Sequence, residues 1–255
     1  GFVLKSGTSD MNIVGAIWPF LGLPPWMASF FYWAILMATY IDEGAYFCKG
    51  GLHQLSDVIA RAFKRIGGEL LVGATVTNIM IQNRSVRGVE LADGRRYFAP
   101  TIIANIDPRL AFGSLIDPEQ QPQNYLRKIG RIELSIRAVN LSLVTDLDLA
   151  GMGFGYETLM VDNWNAHQTW LNLEAGLPSV FGLTVVDSAD PGMAPPSHHL
   201  VNIFSSLPSN FTYSNTNIQR YTDNLVSVVD QHIPELRNHL VLARNGEVPN
   251  GYLTS

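Results

Sequence analysis

The stretch from Gly50 to Asn105 constrains this chain most. A Gly50-Gly51 pair is followed by apolar residues at Leu52, Leu55, Val58, Ile59, Ala62, Phe63 and Ile66, with His53, Gln54, Asp57, Arg61, Lys64 and Arg65 on the opposite side. That spacing predicts an amphipathic helix over 52–66, laid by its apolar face on a sheet. Gly67-Gly68 ends it, because glycine reaches the left-handed conformation of a helix terminus without a side-chain clash. Strands are expected at 69–72 and 75–82. Asn83-Arg84-Ser85 then turns the chain, 86–91 returns it, Asp93-Gly94 turns it again, and Tyr97 leads to a hydrophobic strand at 101–105. The pattern reads as α/β, one strand-rich unit of a nucleotide-binding sheet.

The succession Gly50-Gly51, Gly67-Gly68-Glu69, Val76 to Ile79, Gly88-Val89, Asp93-Gly94, Ala99-Pro100 and Ile103-Ala104-Asn105 resembles the flavin-dependent family of phytoene desaturases, carotenoid isomerases and retinol saturases. A second block, Val185-Val186-Asp187-Ser188-Ala189-Asp190-Pro191-Gly192-Met193-Ala194-Pro195-Pro196-Ser197-His198-His199, resembles that family's strand, Ser/Asp-Pro turn, Ala-Pro and His segment. On residues alone, the first block is a hairpin-rich unit whose glycines serve turn geometry, and the second is a Pro-rich surface turn. The resemblance implies part of a Rossmann-like FAD-binding domain joined to a substrate domain of mixed sheet plus helices. It also implies FAD as cofactor, with the backbone at Val76 pairing the adenine edge. Gly50, Gly51, Ala104 and Asn105 are candidates for close backbone approach to the cofactor, with ordinary sheet packing as the alternative for these four. Many family members carry proline where Cys48 stands, and a buried, inert thiol is the simpler reading of that residue.

The activity implied is that of an FAD-dependent oxidoreductase, a desaturase, saturase or isomerase, acting on carbon–carbon double bonds of an isoprenoid or carotenoid-like lipid. A flavin amine-oxidase-like enzyme and a non-catalytic lipid-binding or scaffold protein without flavin stay open beside it. No acid or base is assigned, since an extended polyene calls for a long apolar tunnel with few ionisable groups. The family's Gly-x-Gly-x-x-Gly loop does not occur in the sequence, and Gly151 to Gly155 has the wrong spacing for it. The family's glycine-rich closing segment is not found either. The sequence therefore reads as the interior of a longer enzyme and is expected to bind FAD poorly by itself. Expected parts are an apolar helical piece of the substrate domain at 1–41, the centre of the FAD-binding domain at 42–116, the substrate domain at 117–245, and a return toward the FAD-binding domain at 246–255.

From Met11 to Ile41 no residue is charged, yet Pro19, Pro24 and Pro25 interrupt the run, so it is not a clean membrane span. The segment Trp26 to Tyr40 is apolar all round. A buried helix explains it; so does a helix that walls a lipid tunnel or dips into a membrane surface, with Phe30 and Trp33 as substrate contacts. A hydrophobic small molecule and a peripheral membrane contact are the partners considered. Net charge of −5 without a basic run argues against nucleic acid. One cysteine permits no internal disulfide, and the cytoplasm is the default compartment. The six histidines are scattered, and His198 and His199 would face opposite sides of a strand, so no metal site is assigned. No Gly-x-Ser-x-Gly elbow or Walker loop is present. Downstream, a link at 116–123, a short helix at 125–129, a strand at 132–143 with Ile132, Leu134, Ile136 and Ala138 on one face, strands at 180–186 and 200–205, and a helix at 217–233 stopped by Pro234 are expected.

Overall fold

Alternation at β4 (Arg137–Thr145) organises the larger of two compact units. Val139, Leu141, Leu143 and Thr145 all point inward, at no more than 1% exposure. The structure is a computed structural model that describes residues 18–132, 135–212 and 214–245. The expected piece at 246–255, residues 1–17 and Leu134 lie outside the described residues. Within them, one unit comprises 18–57 with 135–245, and the other 58–132.

In the first unit β4 joins β5 (Glu157–Val161), β6 (Val180–Val185), β7 (His199–Leu207) and β8 (Leu240–Asn245) in a sheet of order β5-β6-β7-β4-β8. The sheet expected as mixed is, among the described residues, antiparallel at every pairing. Ile203 of β7 sits opposite Leu141 on one side and Leu183 on the other, so one face is apolar across three strands. Two further helices, α1 (Trp18–Leu21) and α2 (Phe30–Asp42), precede this sheet in the chain. The 18-residue helix over Asn215–His232 lays Ile218, Tyr221, Leu225 and Val229 on that face, at helical spacing. Ser214 caps its start by accepting the Asn217 N–H at 3.1 Å, and Pro234 follows its end.

Three sequence expectations shift here. The strand expected from 132 begins at Arg137, and its buried set is the odd-numbered 139, 141 and 143. Ile136 instead joins Trp18 and Leu173 in a second small cluster. A helix at Ala166–Glu174, with Asn165 accepting the His167 and Gln168 amides, was not expected, nor were β5 and β8. Every residue of β5 is half-buried, so no two-residue alternation marked it. Finally, α2 has no buried residue: Phe30, Phe31, Ile35 and Ile41 are 73%, 79%, 65% and 77% exposed. Among the described residues, then, α2 is not buried: Trp33, Ala34, Leu36 and Met37 are half-covered and the rest of its apolar circumference is exposed.

The second unit is built on a meander of β1 (Val76–Gln82), β2 (Ser85–Leu91) and β3 (Arg96–Phe98). Asn83 and Arg84, at φ 51° and 60°, make the tight turn between β1 and β2, the backbone that matches the twist of a two-residue hairpin. Ile79, Leu91, Ala111, Ile116 and Ile129 are buried. The helix α3 (His53–Arg65), whose length contains the division between the units, forms as predicted; its apolar face does not meet the expected sheet. Leu52, Leu55, Ile59 and Ile66 are more than half exposed. The strands expected at 69–72 and 101–105 do not form either. Neither finds a partner for its backbone ladder among the described residues, and Val72 and Ile103 are 85% and 92% exposed. The remaining helices of this unit are Pro108–Gly113 and Gln123–Ile129.

Candidate functional site

Gly50 and Gly51 form a turn just before α3 at φ 78° and 92°, values that favour glycine over any residue with a Cβ. The Gly51 N–H donates to the Cys48 carbonyl at 2.8 Å, closing the turn on itself. The Gly50 N–H donates to Asp190 Oδ2 at 2.8 Å. A Cβ at Gly51 would come within 3.4 Å of Met193 Cε, and Phe47 packs edge-on against Tyr156 with ring centroids 5.6 Å apart. Burial pushes the Tyr156 phenol up, helped by the neighbouring Glu157 charge. The two blocks that carried the sequence resemblance therefore touch within one unit. Their contact was not legible in advance: Asp190-Pro191 marks a turn, and nothing local names an acceptor for an amide so far away in sequence.

In the other unit, Val76 opens β1, the edge strand of the meander, opposite Leu91. Leu91 donates its N–H to the Arg95 carbonyl and accepts from the Gly94 N–H through its own carbonyl, both at 2.9 Å. Leu91 thus turns its polar groups away from β1. Antiparallel pairs alternate between bonded and non-bonded, so the Val76 N–H and C=O face the open side of β1. Further along that edge the Ile79 N–H donates to the Leu115 carbonyl at 2.6 Å, which leaves the Val76 end accessible. A paired donor and acceptor on an open strand edge is what the rim of a purine requires, and the residues present fit an adenine there. Ala104 and Asn105 lie exposed in an irregular segment ahead of Asp107. Asp107 caps Pro108–Gly113 through the Arg109 N–H at 2.8 Å, and the bonds from Arg109 hold its carboxyl below the usual range.

Phe30 and Trp33 come together on α2, stacked at 6.2 Å and 23° between planes. Phe30 is exposed, while the Trp33 indole N–H is buried without a partner among the described residues. The adjacent histidines separate, though not as two residues of one strand: His199 opens β7 while His198 lies in the turn ahead of it. His199 Nδ1 lies 2.7 Å from Asp187 Oδ2, whose other oxygen accepts the Leu200 N–H at 2.8 Å; His198 turns to the Pro196 carbonyl. Asp187 and Asp190 thus organise the whole turn after β6, one inward and one toward Gly50. Among the described residues no helix is long and apolar enough to cross a membrane.

Comparison with known proteins agrees with the fold and with the sequence resemblance. A prolycopene isomerase of an Oncidium hybrid cultivar is 27% identical over 198 residues, 75% of this chain and 31% of that protein. A lycopene-forming phytoene desaturase of a Paracoccus species is 25% identical over 238 residues, 88% of this chain and 46% of that protein. The chain spans under half the length of these two relatives. A crystal structure of an oxidoreductase from Methanosarcina mazei superposes with a TM-score of 0.63 at 19% identity, covering 94% of this chain and 54% of that one, and supports the fold. The family model of flavin containing amine oxidoreductases matches residues 11–229, and the chain belongs to that family.

Proposed function

We propose that the full-length protein is an FAD-dependent oxidoreductase acting on carbon–carbon double bonds of an isoprenoid or carotenoid-like lipid, as a desaturase, saturase or isomerase. The observation that carries the cofactor side is the open edge of β1 at Val76, whose backbone donor and acceptor suit adenine. The substrate class is supported by the names of the similar proteins, prolycopene isomerase and phytoene desaturase. A bound flavin supplies hydride transfer at its ring. This chain's own residues support that chemistry by holding the cofactor. Val76 orients the nucleotide end, and the Cβ-free turn at Gly50 and Gly51 lets backbone approach the cofactor closely. Ala104 and Asn105 are further candidates for close backbone approach within the cofactor side proposed at 42–116, with the substrate side proposed at 117–245; the compact units divide elsewhere, after residue 57 and after residue 132 of those described. Apolar surface on α2, with Phe30 and Trp33 stacked, suits an extended polyene and a peripheral contact with the membrane that stores it.

The test is reconstitution of the full-length protein with FAD and with phytoene, lycopene or retinol. A shifted polyene absorbance or an altered cis/trans ratio, dependent on flavin, is expected. Val76→Pro should lower FAD occupancy, because proline removes the edge donor and disturbs the strand that presents it. Sustained turnover by the complete protein stripped of flavin sinks the mechanism. The family description also covers amine oxidation. Turnover of an amine with no effect on any polyene would assign that chemistry instead.

A further inference from the structure

The double-glycine turn is anchored by a residue 140 positions away in the chain. Asp190 divides its carboxylate between two amides. Oδ1 accepts the Gly192 N–H at 3.3 Å and so opens the short 3-10 turn Pro191–Met193, while Oδ2 accepts the Gly50 N–H at 2.8 Å. Gly51 is satisfied within its own turn by Cys48; Gly50 is satisfied only from outside it, by Asp190, among the described residues. Two glycines in succession are the most costly backbone to order, since each gives up more conformational freedom than any other residue. A bond to a carboxylate is roughly twice as strong as one to a neutral acceptor, which makes it a suitable anchor for such a turn.

The surroundings point the same way. Met193, on the turn that Asp190 caps, stands against Gly51. Tyr156, whose carbonyl accepts the Val185 N–H at 2.8 Å at the end of β6, stands against Phe47. Asp190 and Met193 therefore hold Gly50 and Gly51 against the turn that follows β6, and Tyr156, just ahead of β5, holds Phe47; only the Asp190 contact is polar and reaches the glycine backbone itself.

We propose that Asp190 is a positioning residue that holds the Gly50-Gly51 turn at the height from which its backbone meets the flavin. The inference rests on the reading of this turn as cofactor-proximal. Asp190 touches neither cofactor nor substrate in this role and acts only through the Gly50 amide.

Asp190→Ala and Asp190→Asn in the full-length protein test it by hydrogen exchange and flavin titration. In Asp190→Ala, exchange of the peptide containing Gly50 and Gly51 should accelerate about tenfold, with peptides of β6 and β7 unchanged. Its flavin dissociation constant should rise about tenfold at full stoichiometry. Asparagine offers only a neutral, weaker acceptor, so Asp190→Asn should leave exchange at the turn and the flavin dissociation constant about threefold above wild type. Unaltered exchange at the turn in Asp190→Ala overturns the proposal, and so does faster exchange with unaltered flavin affinity. If Asp190→Ala loses protection throughout β6 and β7, Asp190→Asn decides alone: wild-type exchange and affinity there overturn the proposal, and a threefold loss confined to the turn supports it. A wild-type protein that binds no flavin overturns the functional reading as well, which separates the two failures.

Discussion

Replacing Tyr221 by phenylalanine should remove a defined alkaline limit on the stability of the sheet unit. Tyr221 is 3% exposed beneath the antiparallel sheet. Its hydroxyl donates to the Ser206 carbonyl at 2.8 Å and lies 2.9 Å from Ser205 Oγ, which also reaches the Val180 carbonyl at 3.2 Å. Burial pushes the phenol well above its ordinary value of 10.0, against a smaller opposite pull from Ser205. Below about pH 10 the phenol is protonated in both folded and unfolded chains, and its contribution is intact. Above that value the unfolded chain releases the proton while the folded one keeps it, so stability falls by about 1.4 kcal/mol per pH unit. Tyr221→Phe should cost about 1–2 kcal/mol at neutral pH, because the Ser206 carbonyl loses its donor. In exchange, the variant should lose that alkaline slope. Urea denaturation midpoints collected at a series of pH values from neutral to alkaline measure both effects. Tyr156, whose phenol is also raised by burial, serves as the control through Tyr156→Phe, which should leave most of the slope in place. Equal alkaline slopes in Tyr221→Phe and wild type would refute the reasoning.

Two stability predictions concern the separate units. A Cβ at Gly88 would collide with the Tyr97 carbonyl across the β2–β3 pair, so Gly88→Ala should destabilise the meander by about 1–3 kcal/mol, read as faster hydrogen exchange in 76–98 with 199–207 unchanged. Leu225 is fully buried against the sheet, and Leu225→Ala should lower unfolding free energy by about 3 kcal/mol in urea titration; a loss under about 1 kcal/mol would mean that its cavity collapses.

The helix over Asn215–His232 was legible because two local signals agree, the Ile218-Tyr221-Leu225-Val229 spacing and Pro234 after it; its start at Asn215, capped by Ser214, lies two residues ahead of the expected 217. The meander was legible for a similar reason, since Asn83-Arg84 and Asp93-Gly94 mark both reversals and the strands between them pair with their nearest neighbours in sequence. Ile102 and Ile103 carry the composition of a strand, but a strand exists only through a partner, and composition does not supply one. The Asp190–Gly50 bond failed to show for a different reason. A side-chain oxygen meeting a distant amide leaves no periodicity at either end, so the sequence displays two turns and conceals the link between them.

The two exposed apolar helices differ in what could cover them. On α3, Leu55, Val58 and Ile59 occupy one side and Arg61, Lys64 and Arg65 the other, a pattern that a single protein layer satisfies. On α2, at about 100° per residue, the exposed Phe30, Phe31, Tyr32, Ile35, Tyr40 and Ile41 are spread over more than half the circumference, without a charge among them. One packed neighbour covers roughly a third of a helix, so the proposed function predicts that the remaining apolar surface of α2 meets lipid or a polyene. The absence of any Lys or Arg from α2 favours neutral lipid over an electrostatic contact with anionic headgroups. The full-length protein should therefore float with phosphatidylcholine vesicles, with little response to salt. Phe30→Ser with Trp33→Ser should weaken flotation several-fold while circular dichroism is kept. The same change at Leu55 and Ile59 should leave flotation as it was. If the α3 variant detaches and the α2 variant does not, the lipid contact belongs to the amphipathic face, and the all-round pattern of α2 has a protein cover.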